Sequence, residues 1–243
     1  MQFVDLHNHL LPGIDDGAEN IDASIELIKM ATADGTCRMV CTPHIHLGRY
    51  DNNHSTISSA LELLQQAIRK HQVSIEVRAA AEVRFGMELM QWALNGELPF
   101  IGSWQGKNVL LLEFPHGEIP FGAEKLTAWL IARNILPMIA HPERNKGVMS
   151  NPSKLRPFLQ QGCLTQLTAQ SVAGGFGEQP KRIAHELLRE DCVTIIASDA
   201  HNVKHRPPLI SQTYQALLEQ VGETKVEALS YSTPFAISEI HFS

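Results

Sequence analysis

The sequence predicts an α/β fold in which parallel strands close into a barrel related to the eightfold kind. Short apolar runs of strand length alternate about seven times with amphipathic segments of helix length. No linker, low-complexity stretch or internal repeat interrupts this alternation, so residues 1–243 are expected to form a single domain. An open, doubly wound sheet is the alternative architecture.

The periodicity of apolar residues places the elements in chain order. The predicted strands are FVDL from residue 3, CRMVCTPH from 37, SIEVRAAAEV from 74, NVLLLEF from 108, LPMIAHP from 136, CLTQLTA from 163 and CVTIIASDAH from 192. The predicted helices cover residues 20–34, 55–71, 87–96, 123–134, 152–162, 180–191 and 208–222. In the first helix Ile21, Ile25 and Ile28 share one face, Asn20 or Asp22 can cap the start, and Gly35 can end it.

Composition narrows the class of function. The net charge of -6 argues against a general affinity for nucleic acids or anionic membranes. The N-terminus lacks the basic start and apolar segment of a secretory signal, and no apolar run reaches the length of a transmembrane helix. The four cysteines lie scattered in apolar runs, which is typical of buried thiols and predicts a cytoplasmic location.

Polar side chains follow six of the seven predicted strands at the point where each strand ends. The carboxyl ends of parallel strands form the face where α/β barrels build their sites. His7 and His9 can share one metal ion because residues i and i+2 of a strand point to the same side. The candidate ligands are His7, His9, Asp16, His44, Glu82, Glu113, His141, Asp199 and His201. Each alone could be a hydrogen-bonded core residue or a rim ion pair, whereas one metal site accounts for them all.

Nine ligands are too many for a single ion, since zinc or manganese takes four to six. The sequence therefore predicts two or three divalent ions. Nitrogen and oxygen ligands without cysteine favour Mn²⁺, Fe²⁺ or Zn²⁺ over Ca²⁺. Clustered divalent ions lower the pKa of bound water and stabilise the oxygens of an in-line displacement at phosphorus.

Arg144 and Arg206 each follow a candidate ligand strand by a few residues, and both are predicted to bind phosphate. Solvated loop charges are the alternative interpretation. His201 or a metal ion is expected to assist the departure of the leaving group. None of the cysteines has an arginine six residues later, so the cysteine-based type of tyrosine phosphatase is unsupported. The loop of residues 45–54 is expected to be solvated, with contact of His46, Arg49 and Tyr50 with a peptide as the alternative. The segment AGGFG at 173–177 is expected to be a flexible loop.

The ordered motifs DLHNHLLPGIDDGA, CTPH, AAEV, LLEFP, IAHPERN and IASDAHN…RPP resemble those of the polymerase-and-histidinol-phosphatase (PHP) family. They are most similar to its bacterial manganese-dependent tyrosine phosphatases of capsule and exopolysaccharide operons (CpsB/CapC/YwqE type). The match runs from Asp5 to about Pro208, with Ala80 where relatives usually have glycine.

The resemblance implies a distorted (β/α)7 TIM-like barrel that holds three metal ions, with manganese as the expected metal. It implies that all nine candidates are metal ligands and that Arg144 and Arg206 hold phosphate. It also implies removal of phosphate from phosphotyrosine, with the tail of a bacterial tyrosine autokinase as the protein substrate. Two other functions stay open: a phosphatase of a small phosphomonoester such as histidinol phosphate, and a metal-stabilised binding module without activity.

Overall fold

The computed structural model describes all residues from Met1 to Ser243. Its strands are β1 (Phe3–Asp5), β2 (Thr36–Cys41), β3 (His44–Ile45), β4 (Glu76–Ala79), β5 (Glu82–Arg84), β6 (Gly102–Trp104), β7 (Lys107–Glu113), β8 (Ile135–Ala140), β9 (Leu164–Thr168) and β10 (Ile195–Ala197).

The α-helices are α1 (Ile21–Asp34), α2 (His54–Lys70), α3 (Glu88–Asn95), α4 (Ala123–Ile131), α5 (Lys146–Ser150), α6 (Arg156–Gln160), α7 (Ala169–Ala173), α8 (Glu178–Arg189), α9 (Tyr214–Val221), α10 (Glu223–Glu227) and α11 (Thr233–Ser238). Short 3-10 turns precede α5, α6 and α9, and a fourth such turn, Glu239–His241, follows α11. A π-helical segment, Ala228–Ser232, connects α10 to α11.

The parallel strands follow one another in a ring. One sheet has the order β1-β2-β4, and the other runs β10-β9-β8-β7-β5-β3, with only β6 antiparallel to its neighbour. The ring closes where the extensions of β1 and β10 meet: His9 N donates to the carbonyl of Ala200 (2.8 Å), and Asp199 N donates to the carbonyl of His7 (2.7 Å). This order gives the distorted TIM-like barrel predicted from the sequence.

Two predicted strands are each divided in two. The strand predicted from residue 37 breaks between β2 and β3, and the strand predicted from residue 74 breaks between β4 and β5. Pro43 lies in the first break and has no N–H to give to the ladder. The register is unchanged across the gap, because Cys41 lies opposite Ala79 and His44 lies opposite Glu82.

Alternation along the strands divides the apolar residues into an inner and an outer layer. In β7, Val109 and Leu111 belong to an inner cluster enclosed by the strands. Leu110 and Leu112 belong to the larger cluster that the strands share with the surrounding helices. This is the packing expected of a barrel, where successive side chains point to opposite sides of the sheet.

The antiparallel strand β6 and the helices after residue 222 are not among the predicted elements. Strand β6 and helix α11 meet beside the first residues of β7, where Ile237 of α11 is buried in the inner cluster. A Cβ atom at Gly102 would lie 1.9 Å from the carbonyl oxygen of Ile237, and the φ of Gly102 is 153°. Only glycine permits this close approach of the two backbones.

The residues at the two ends of α1 act as the sequence predicts. The Asn20 side chain accepts a hydrogen bond from Ala23 N at the start of α1, and Gly35 ends that helix in the left-handed conformation with φ 110°.

No helix has both the length and the apolar character needed to cross a membrane. All four cysteines are free thiols, and Cys41 and Cys163 are buried.

Candidate metal centre

All nine candidate ligands lie at the carboxyl ends of the barrel strands or in the loop that follows β1. They form four overlapping groups, and within each group the possible ligand atoms lie within 4.8 Å of one another. The groups are His9, Asp16, His44 and His201; His7, His9 and Glu82; His7, His141 and Asp199; and His44, Glu82 and Glu113. Residues from opposite ends of the chain therefore meet in one cluster.

The Glu82 carboxylate is surrounded by imidazoles. Its Oε1 lies 2.8 Å from His141 Nε2, and its Oε2 lies 2.9 Å from His44 Nδ1. The same Oε2 lies 3.4 Å from His7 Nε2 and 3.5 Å from His9 Nε2. Burial raises the pKa of Glu82, but the charges of His7 and His44 outweigh it and hold that pKa well below the usual value. Glu82 is thus an anion that two ions could share.

Asp199 faces the imidazoles with one oxygen and two guanidinium groups with the other. Its Oδ1 lies 3.4 Å from the Nε2 atoms of both His7 and His9. Its Oδ2 accepts hydrogen bonds from Arg144 Nη1 and, at 2.5 Å, from Arg206 Nη2. Burial raises the pKa of Asp199, but the positive charges of Arg206 and His7 lower it well below the usual value.

Two of the candidate ligands have an unusual backbone conformation. His141 has a φ of 31° and Asp199 a φ of 52°, in the left-handed region that non-glycine residues rarely adopt. Each follows the last residues of a strand, β8 or β10. Such conformations persist where the surrounding structure determines them, and they cluster at functional sites.

Asp15 contacts two of the candidate ligands and was not singled out from the sequence. Its Oδ2 lies 2.7 Å from His9 Nδ1 and accepts a hydrogen bond from His44 N (3.0 Å), and its Oδ1 accepts one from Gly17 N (2.9 Å). Burial lowers the pKa of His9, but the Asp15 carboxylate raises it well above the usual value. The only sequence signal was the pair of adjacent aspartates, of which Asp16 alone was assigned as a ligand.

Gln166 is the second such residue. It lies in β9, the one predicted strand with no histidine or carboxylate at its end. Its Oε1 lies 2.8 Å from His7 Nδ1 and accepts a hydrogen bond from His141 N (3.1 Å). The side chain of Gln166 is fully buried, and the other side chains of β9 are small or apolar. A single amide in such a strand was the sequence signal that could have identified Gln166.

The cluster leaves buried polar atoms without hydrogen-bond partners. Asp199 Oδ1 and His201 Nε2 have none, and the contact of Glu82 Oε2 with His44 Nδ1 lacks the geometry of a hydrogen bond. Buried polar groups in native proteins are nearly always paired, and an unpaired one is costly. All three atoms are of the types that ligate divalent ions, and the donor set contains only nitrogen and oxygen. The residues present therefore fit a cluster of divalent ions.

A cavity of about 210 Å³ opens onto this cluster. It is lined by Asp16, His44, His46, Arg49, Tyr50, Glu82, Arg84, Glu113, His116, His141, Arg144, Asp199 and Arg206. Three side chains of the loop of residues 45–54, those of His46, Arg49 and Tyr50, line this cavity. The Tyr50 ring stacks on the His44 ring with 5.4 Å between centroids and 10° between planes. Arg84 also belongs to the lining, and its Nη1 lies 2.7 Å from Glu113 Oε2.

A larger cavity of about 810 Å³ lies on the other side of the same loop. Its lining includes Ile45, Leu47, Trp92 and Leu98, and half of its lining residues are hydrophobic. None of the candidate ligands takes part in it. The nine candidate ligands are therefore confined to the smaller cavity and the cluster beneath it.

Known proteins match this chain over most of its length. The model of the family "Capsular polysaccharide synthesis, CpsB/CapC" matches residues 3–239. Tyrosine-protein phosphatase YwqE of Bacillus subtilis is 35% identical over 203 residues, which cover 84% of this chain and 79% of that protein. Tyrosine-protein phosphatase CpsB of Streptococcus pneumoniae is 25% identical over 240 residues, covering 95% of this chain and 96% of that protein.

Solved structures agree with these matches. A crystal structure from a study of YwqE of Bacillus subtilis and CpsB of Streptococcus pneumoniae, described as metal-dependent tyrosine phosphatases, superposes with a TM-score of 0.85. The two chains are 32% identical in sequence, and the superposition covers 97% of this chain and 91% of the other. A histidinol phosphate phosphatase of Lactococcus lactis has a TM-score of 0.58 at 11% identity, covering 91% and 95% of the two chains, a likeness of fold alone. The chain belongs to the CpsB/CapC family of capsular polysaccharide synthesis proteins.

Proposed function

We propose that this chain is a metal-dependent protein-tyrosine phosphatase, a phosphoric monoester hydrolase acting on phosphotyrosine. One observation carries the proposal. Two arginines meet at Asp199, beside a buried cluster of imidazoles and carboxylates, in a cavity with room for a single phosphorylated side chain. The relatives named above as tyrosine-protein phosphatases support the same reaction.

The nine clustered residues are the proposed metal ligands, for two or three divalent ions with Mn²⁺ first and Fe²⁺ or Zn²⁺ as alternatives. When bound, such ions supply a water of lowered pKa and a positive field for phosphoryl oxygens. Glu82 and Asp199 offer their unpaired carboxylate oxygens, and neutral imidazoles offer their ring nitrogens.

Arg144 and Arg206 are the proposed phosphate-binding residues. Both guanidinium groups keep N–H donors beyond those bound to Asp199, and Arg206 Nε is buried without any partner. A phosphate oxygen would satisfy that donor, and forked guanidinium groups match the geometry of phosphate. Asp199 holds the two side chains together and keeps them from separating when phosphate leaves.

Two roles are proposed for His201, as a metal ligand and as an aid to the leaving phenolate. Its Nδ1 lies 3.0 Å from the carbonyl oxygen of Asp199, which can only accept a hydrogen bond. Nδ1 therefore carries the proton, and Nε2 presents a lone pair. Burial and the charge of His9 hold the pKa of His201 well below its usual value. This arrangement favours the ligand role.

We further propose that residues 1–243 form a single PHP domain acting in the cytoplasm on a bacterial tyrosine autokinase that controls capsular or exopolysaccharide synthesis. The free cysteines suit a reducing compartment. The family to which the chain belongs supports the link to polysaccharide synthesis.

Turnover of three substrates at equal Mn²⁺ concentration tests the proposal: a phosphotyrosine peptide, a phosphoserine peptide and histidinol phosphate. We expect the phosphotyrosine peptide to be hydrolysed with the highest kcat/KM, and the variant Arg206→Ala to lose most of it. A preference for histidinol phosphate would support the small-substrate alternative. No hydrolysis of any phosphomonoester with any divalent ion would support a binding module instead.

A further inference from the structure

The glycine-rich turn of residues 174–177 lies next to the two proposed phosphate-binding arginines. It was expected to be flexible; in the structure one backbone hydrogen bond ties it to α7, and a second closes the turn on itself. Gly175 N donates to the carbonyl of Gln170 (2.8 Å), and Gly177 N donates to that of Gly174 (3.0 Å). Gln170 Nε2 in turn donates to the carbonyl of His205 at 2.8 Å. The turn is thereby tied to the segment that carries Arg206.

The turn places one aromatic ring against both guanidinium groups. The Cζ atom of Arg144 lies 4.5 Å from the centroid of the Phe176 ring, and the Cζ atom of Arg206 lies 6.0 Å from it. The two arginines come from different loops, after β8 and after β10, and Phe176 comes from a third. Its side chain is half-buried and does not line the cavity of the metal centre.

The position of the ring matters because a guanidinium group uses its face and its edge differently. The face is attracted to an aromatic ring, whereas the N–H bonds lie in the plane and point away from its edge. A ring that covers the face fixes the plane and leaves the edge free for carboxylate and phosphate oxygens. Asp199 restrains each guanidinium only at a terminal nitrogen, on Nη1 of Arg144 and Nη2 of Arg206.

We propose that Phe176 is a positioning residue, which holds Arg144 and Arg206 in the orientation that binds the phosphate group. The proposal rests on the proposed function, since it takes phosphate as the ligand of the two arginines. Phe176 acts through the arginines and touches neither the metal ligands nor the reacting atoms. Without the ring, each guanidinium can rotate about its bond to Asp199, and the phosphate oxygens lose donors that are aligned in advance.

Calorimetric titration of the Mn²⁺-loaded protein with inorganic phosphate tests this role without relying on turnover. Phe176→Ala is expected to weaken phosphate binding about three- to thirtyfold, the range that a cation–π contact of this geometry supports. Phe176→Tyr keeps the ring and should bind phosphate as the unmodified protein does. Phe176→Leu keeps much of the apolar bulk without a ring and should resemble Phe176→Ala.

The matched control is Phe121→Ala, because Phe121 is an exposed aromatic residue with no cation beside it. It should leave phosphate binding unchanged. Metal content and the thermal unfolding midpoint are measured for every variant, so that a misfolded protein is recognised. Phe176→Leu provides the answer if Phe176→Ala does not fold.

Three results would overturn the inference. Phosphate could bind Phe176→Ala as tightly as the unmodified protein. Phe176→Leu could bind it as tightly as Phe176→Tyr, which would reduce the role of the ring to packing. Phe176→Ala could lose kcat/KM on a phosphotyrosine peptide with unchanged phosphate affinity, which would make Phe176 a contact of the aromatic leaving group. If the unmodified protein fails on phosphotyrosine while Phe176→Ala still weakens phosphate binding, only the proposed function fails.

Discussion

Gln166 and His7 are joined by a contact of 2.8 Å between the amide oxygen and the imidazole Nδ1. An amide oxygen only accepts hydrogen bonds, so Nδ1 of His7 carries a proton, and Nε2 is the nitrogen that a metal ion would bind once its own proton is lost. That Nε2 lies 3.4 Å from carboxylate oxygens of both Glu82 and Asp199. A neutral side chain in the sixth predicted strand thus sets the tautomer of a histidine at the start of the chain.

The first prediction concerns this contact. Gln166→Leu should lower manganese affinity or turnover about 10- to 100-fold, the usual cost of removing a group that orients a metal ligand. Equilibrium dialysis against Mn²⁺ and kcat/KM on p-nitrophenyl phosphate measure the two effects. Gln161→Leu is the control, because the Gln161 amide contacts Thr127 and no residue of the metal centre. Unchanged metal binding and turnover in Gln166→Leu would show that the contact has no functional role.

The second prediction separates the two adjacent aspartates. Asp15 contacts His9 and backbone N–H groups, whereas Asp16 Oδ1 lies 3.4 Å from His44 Nε2 and takes part in a candidate ligand group. Asp15→Asn keeps an oxygen at the same position, so we expect a loss of roughly tenfold in metal affinity. Asp16→Asn should lose more, since a charged ligand becomes neutral. Dialysis of both variants against Mn²⁺ compares them, and the reverse order would contradict the assigned roles.

The third prediction is that removal of metal ions destabilises the protein. Because Oε2 of Glu82 and Oδ1 of Asp199 are buried without a hydrogen bond, bound ions should stabilise the folded chain. At a free ion concentration about 100 times the Kd, the gain of about 2.7 kcal/mol corresponds to about 5–10 °C in Tm for a chain of this size. Differential scanning calorimetry before and after chelation measures the shift. Equal Tm values in both states would argue against buried ions.

Much of the site could be predicted because its residues share a position in the fold. Parallel strands deliver their carboxyl ends to one face, so a polar residue that follows an apolar strand is a candidate even in a single sequence. His7, Glu82 and Asp199 were found in this way, although they lie far apart in the chain. The same rule could not find Gln166, which lies inside β9 and carries no charge.

The remaining features depend on contacts between segments distant in sequence. In the sequence Phe176 is one aromatic residue among many, and only the structure shows that its ring lies against Arg144. Strand β6 escapes detection because three residues are too few to show a period of two. The break at Pro43 is visible in the sequence, but the preserved register on both sides of it depends on the neighbouring strand.

The fourth prediction concerns the cysteines. Burial raises the pKa of Cys163 to about 12, and it raises the pKa values of Cys37, Cys41 and Cys192 above the usual value. A higher pKa means less thiolate at neutral pH, so iodoacetamide at pH 7 should react slowly. None of these thiols lines the cavity of the metal centre. Turnover of the Mn²⁺-loaded protein should survive treatment with iodoacetamide, and rapid inactivation would indicate an essential thiol.

The central claim is that nine side chains from distant segments hold two or three divalent ions on which phosphotyrosine hydrolysis depends. Titration of the chelator-treated protein with Mn²⁺, with bound metal and phosphotyrosine hydrolysis followed together, tests it most directly. We expect activity to appear as two or three equivalents bind, and Glu82→Gln to reduce both quantities. Full hydrolysis with less than one bound ion per chain, or saturation with metal without any hydrolysis, would contradict the account.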